Sequence, residues 1–157
     1  MNTRLPSAAV LVGAAGVLPF LGLALAALSR GEPEATRLVG LLVGYGAVIL
    51  SFLGAVHWGL VLATPQADRA ALRLLLGVLP ALAGWVALWL DGTGVPALAL
   101  ALLIAAFLVV VGAERSFADR GWLPGGYLWL RYMLTLAVVL ILATVLTLRL
   151  LGARIVL

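Results

Sequence analysis

The chain has 157 residues, 65% of them hydrophobic and 10% charged, with a net charge of +4 and a mean hydropathy of +1.24. A soluble domain needs about a quarter of its residues charged to cover its surface, so this composition excludes one. No cysteine, no lysine and a single histidine exclude disulfides, thiolate and Schiff-base chemistry, and any metal site built on two imidazoles.

A membrane span needs roughly 20 apolar residues. Five such runs follow one another, at about 7–28, 38–64, 71–90, 95–113 and 128–150. They predict an all-α membrane protein, a compact bundle of five transmembrane helices forming one domain over residues 1–157. The breaks SRGEPEATR, TPQADR, DGTG and ERSFADRGWLPGGY are rich in turn formers and charge.

In the first run, LALAALS resembles a small-residue cleavage site, but the apolar core exceeds the roughly 7–15 residues of a signal peptide. It is read as a helix. Pro19 here and Pro80 in the third run each remove a backbone donor, which predicts a kink. The second run carries Gly40, Gly44, Ser51 and Ala55 as a small-residue stripe for close helix packing. Tyr45 lies deep in the same run, where its hydroxyl needs a partner. Trp85 and Trp89 end the third run; Trp122, Tyr127, Trp129 and Tyr132 gather at the opposite interface, as two aromatic belts. Glu114 directly follows the fourth run, and Arg131 sits in the first turn of the fifth. Arg131 can snorkel to the interface, contact an anion, or form an ion pair with Glu114. Thr135, Thr144 and Thr147 can bond back to their own helix.

Five spans put the two ends of the chain on opposite sides. Arg4, Arg69, Arg73, Arg115, Arg120 and Arg131 lie on the N-terminal side, against Arg30, Arg37, Arg149 and Arg154. That balance favours a cytoplasmic N-terminus. No basic cluster suggests nucleic acid as a partner. The expected partners are the lipid bilayer and either a second copy or a larger membrane complex.

FLGAVHWGL, residues 52–60, places the one histidine inside an apolar run. At about 100° per residue His57 points some 120° away from Ser51 and shares a face with Gly46, Leu50 and Gly54. An ionisable group at that depth is either a functional group or a neutral imidazole bonded to another helix. Asp68, Arg73, Arg115, Asp119 and Arg120 join His57, Glu114 and Arg131 on the same membrane side, so polar content is concentrated in one leaflet.

GVLPF (16–20), YGAVILSFLGAVHWG (45–59), GVLPALAGW (77–85) and LPGGYLWLRYMLT (123–135) resemble the segments of an uncharacterised bacterial membrane family of domain-of-unknown-function type. That family also includes the mitochondrial transmembrane protein 69. The resemblance covers nearly the whole chain and implies a five-helix inner-membrane protein. It further implies that His57, Trp58, Pro19, Pro80, Arg131 and Thr135 belong to a shared pattern.

Function divides into two readings. The first is a non-enzymatic accessory, assembly or structural protein acting through helix–helix contacts. The alternative is a small permease or carrier that binds an apolar or anionic molecule, such as a quinone, lipid or haem-like compound. Its pocket would be bounded by His57, Trp58, Gly54, Pro80 and Arg131. An enzyme is disfavoured, since one residue alone could act as a base near neutral pH. No catalytic residue, metal ligand or cofactor is assigned.

Overall fold

The computed structural model describes residues 6–64, 69–121, 123 and 126–152. Six helices are present: α1 Ser7–Ala15, α2 Leu18–Ser29, α3 Glu34–Leu62, α4 Ala70–Gly92, α5 Pro96–Asp119 and α6 Tyr127–Leu150. No strand occurs among the described residues. Taken together, residues 7–29 form one apolar stretch, so the chain has five helical segments long and apolar enough to cross a membrane.

The first of these is broken rather than kinked at its proline. Gly16 and Val17 form a turn, and Pro19 stands in the first turn of α2, where a missing N–H costs nothing. The break leaves the Gly16 carbonyl available, and the Tyr45 hydroxyl donates to it at 2.9 Å. Phe20 packs edge-on against Tyr45, with ring centroids 4.8 Å apart. In contrast, α4 runs unbroken through Pro80.

Two helices begin or end beyond the apolar runs. α3 starts at Glu34 rather than 38, because the Glu32 carboxylate accepts from the Thr36 N–H (3.2 Å) and Glu34 lies in the first turn. Both place negative charge where the helix dipole favours it. α5 continues to Asp119, so Glu114 lies inside this helix rather than after it, and is fully buried.

α3 is the central helix, packed against α2, α4 and α5. Its most extensive contact is with α4, along a seam of small residues spaced by seven. Gly40 faces Asp91, Ala47 faces Gly84, and Gly54 faces Gly77. A Cβ on Gly84 would stand 3.0 Å from the Ala47 backbone, and one on Gly54 would collide with the Gly77 carbonyl oxygen. The expected stripe shares only its lower half with this contact. Gly40 and Gly44 meet Asp91 and Leu88, whereas Ser51 and Ala55 are exposed. A seven-residue repeat drifts by only about 20° on an α-helix, in the sense opposite to a four-residue step of about 40°, so the two rows part company toward the end of α3.

Trp85, Trp89 and Trp129 are exposed on the outer surface. Arg4, Asp68, Trp122 and Arg154 lie outside the described residues.

Candidate functional site

Polar side chains from four helices converge inside the bundle near one end. α5 supplies Glu114, α6 supplies Tyr127, Arg131 and Thr135, α3 supplies His57, and α4 supplies Arg73. The three α6 residues are four apart, one above another on a single face. The same helices carry core residues beside the polar ones, Phe107 and Val110 on α5 and Val138 and Leu142 on α6.

Glu114 is the centre. Its Oε2 accepts from Arg131 Nε at 2.8 Å, and its Oε1 accepts from the Tyr127 hydroxyl at 3.0 Å. His57 Nε2 is 3.7 Å from Oε1, which is close approach rather than a hydrogen bond. The His57 ring also stands edge-on to Phe117, with centroids 5.1 Å apart. Glu114, His57, Arg73 and Arg131 are each less than 7% exposed. Arg131 therefore does not snorkel: its charge is compensated inside the protein.

Two polar atoms are left over. Among the described residues, Arg131 Nη2 and Thr135 Oγ1 are buried without a hydrogen-bond partner. Thr144 bonds back to the Leu140 carbonyl at 2.8 Å, the usual fate of a threonine within a helix. Thr135 does not, and with Arg131 it belongs to the wall of a cavity.

That cavity, of about 510 Å³, lies between α1–α2, α3, α5 and α6. Arg131, Thr135 and Tyr127 form its polar end, and Phe20, Phe52, Leu53 and Leu134 are among its apolar walls. A second cavity of about 280 Å³ opens between α4 and α5, with His57, Pro80 and Phe117 on its wall. Arg131 of the buried cluster borders the first cavity and His57 borders the second.

The expected five-residue pocket is thus divided. His57 and Arg131 do meet, through Glu114, but they face different cavities. Pro80 shares the smaller cavity with His57. Gly54 is used in the α3–α4 seam, and the Trp58 indole donates to the Leu74 carbonyl at 3.0 Å across that seam. Tyr127 belongs to the buried cluster and not to an aromatic belt, and Thr135 does not bond back to its own helix. Their spacing of four on either side of Arg131 is the signal that joins them to it. Among the described residues no group of three or more histidine, aspartate or glutamate side chains is placed to hold a metal.

The family model described as "Protein of unknown function (DUF3429)" matches residues 5–147. The chain belongs to this family. Neither a curated protein nor a solved structure gives a significant match. The span matched to the family takes in the whole polar cluster, from His57 to Thr135, and both cavities.

Proposed function

We propose that the protein binds an apolar molecule with a polar end inside the membrane, as a small carrier or permease, in the larger cavity. The observation that carries this reading is a cavity of about 510 Å³ with a largely apolar wall that Arg131, Thr135 and Tyr127 join at one end. An apolar space of this size with a few polar residues at one end fits a ligand with matching chemistry. No catalytic step is assigned to it.

Leu134 lies on the cavity wall, so Leu134→Trp would fill the space. Native mass spectrometry of protein released from its membrane in mild detergent should find a small molecule bound to the wild type and lost from this variant. The same bound species on both proteins would sink the proposal.

A second reading, the accessory or assembly role through contacts with itself or a larger membrane complex, draws on the outer face of α3. Ser51, Ala55 and Gly59 are exposed there in one row, and a Cβ on Gly59 would meet nothing within 4 Å. A row of this kind suits a second helix. A strictly monomeric protein with no co-purifying chain would remove this reading.

The proposed location is a bacterial cytoplasmic membrane with the N-terminus in the cytoplasm, and the proposed relationship extends to the mitochondrial transmembrane protein 69. Support comes from the four resembling segments and the arginine balance. A reporter enzyme fused after the last residue reads the orientation directly.

A further inference from the structure

The geometry points to the smaller cavity, between α4 and α5, as a second binding site, one for a small neutral hydroxyl compound that donates to His57. This goes beyond the role proposed for the larger cavity and does not depend on it, because the two cavities share no lining residue.

The first observation is which nitrogen of His57 carries the proton. Its Nε2 stands 3.7 Å from Glu114 Oε1, an oxygen that already accepts from the Tyr127 hydroxyl. Glu114 is ion-paired to Arg131 at 2.8 Å, and a carboxylate can only accept. A ring nitrogen facing it is favoured as N–H and disfavoured as a lone pair. An apolar interior favours the uncharged ring, as do Arg131 and Arg73 in the same buried cluster. In a neutral imidazole protonated at Nε2, the other nitrogen, Nδ1, is an acceptor.

The second observation is access. His57 is on the wall of the smaller cavity and not of the larger one, and its side chain keeps 5% of its surface open. Among the described residues, the side-chain polar atoms that are both enclosed and without a hydrogen bond are Arg131 Nη2 and Thr135 Oγ1. Nδ1 has no hydrogen bond among the described residues and is not one of these enclosed atoms, so a ligand atom can reach it.

The third observation is a second acceptor beside the same space. α4 runs through Pro80, which has no N–H to give to the Leu76 carbonyl four residues earlier. Leu76 and Pro80 both belong to this wall, and His57 is its one polar side chain. A wall that offers acceptors and no side-chain donor suits a ligand that donates. A hydroxyl does this without bringing a charge into hydrocarbon, as an ammonium would. Leu79, Leu102, Val109 and Phe117 hold an apolar body by burial. The cavity measures about 280 Å³. An apolar cavity of about 150 Å³ holds one benzene, so the ligand has roughly a dozen non-hydrogen atoms. Phenols and alkanols share this chemistry, and the test separates them.

The chain has a single histidine, so isotope-labelled histidine gives one pair of imidazole signals by nitrogen NMR. Purified protein in detergent at about pH 7, where a phenol is uncharged, is titrated with β-naphthol, its methyl ether and decanol. The free protein should show Nε2 protonated and Nδ1 bare. β-Naphthol, decanol or both should shift the Nδ1 signal, and the tighter of the two identifies the class. The methyl ether keeps the ring system but cannot donate; it should leave Nδ1 unmoved and bind about tenfold more weakly than β-naphthol, the loss of one hydrogen bond. Ala105 is an exposed residue on the wall, so Ala105→Phe fills the cavity from outside and should abolish the shift without lowering the melting temperature. Leu134→Trp, which fills the larger cavity, should leave the shift unchanged. A bare nitrogen at Nε2, a methyl ether that binds as tightly as β-naphthol, or no binding by either hydroxyl probe would overturn the inference. Binding kept in Ala105→Phe and lost in Leu134→Trp would also overturn it, and would leave the role of the larger cavity standing.

Discussion

Glu114 is buried without exposed surface, yet three side chains from two other helices approach its carboxylate within 4 Å. A carboxylate in the bundle interior persists only when its charge is matched and its oxygens accept hydrogen bonds, and Arg131 and Tyr127 supply both. Removing one member of such a pair costs more than never having had it. Glu114→Gln should therefore lower unfolding stability by about 3–5 kcal/mol, because the Arg131 charge is left buried and unmatched. The double variant Glu114→Leu with Arg131→Met should recover most of that loss. Chemical unfolding of both proteins in mixed micelles checks this, and a Glu114→Gln protein as stable as wild type would rule out the ion pair as a stabilising element. His57 has a different place from the one its sequence position suggests. It borders the smaller cavity and stands edge-on to Phe117, so it supports the cluster from behind and does not line the larger cavity.

Among the elements, the α3–α4 pair decides how tightly the bundle closes. Gly54 and Gly77 bring two backbones together, leaving no room for a Cβ on Gly54 because the atom it would meet is a carbonyl oxygen and not a flexible side-chain end. Gly54→Ala should separate the helices locally and destabilise the protein by about 1–3 kcal/mol, as overpacking does. Gly59, on the same helix, faces open space. Gly59→Ala should be neutral or raise stability by up to about 1 kcal/mol, through helix propensity alone. Thermal unfolding of the two variants side by side distinguishes packing from propensity; equal effects would mean that the seam is not the tight contact described. The α1–α2 break belongs to this scale too. Its exposed carbonyl at Gly16 is satisfied from α3 by Tyr45, so the first span is pinned to the central helix at the level of its own interruption.

Across the whole molecule, the end opposite the buried cluster is closed by a different kind of contact. Arg149, near the end of α6, donates to Glu32 Oε1 at 2.7 Å and to Thr36 Oγ1 at 3.0 Å, tying the last span to the α2–α3 turn. Hydrogen bonding from Thr36, and then from Arg149, holds the Glu32 carboxyl below its ordinary value of 4.5. With the folded value depressed, the contribution is complete above the ordinary value and is lost as pH falls through the folded one. Melting temperatures taken from about pH 6 down to about pH 3 should fall further for the wild type than for Glu32→Gln. Parallel curves would show that this tie adds nothing, as many exposed ion pairs do. The two ends thus differ: a salt-sensitive clamp at one, a buried ionic cluster beside two cavities at the other.

Hydrophobicity by itself determined that this chain is a helical membrane protein with five apolar segments, because a span needs only length and the absence of charge, both local properties. The candidate residues His57, Arg131 and Glu114 were legible for the same reason: charge inside or beside an apolar run has few places to go. The tertiary structure decided what depends on direction and distance. It decided that Arg131 turns inward instead of snorkelling, that the close seam follows residues 40, 47 and 54 and not the stripe ending at Ala55, and that His57 and Arg131 look into separate cavities. It also decided that Thr135 is left without a partner among the described residues while Thr144, on the same helix, bonds back to its own backbone. Sequence spacing fixes which residues share a helix face. Which face meets which neighbour depends on how five helices divide a limited interior among them, and no single segment carries that information.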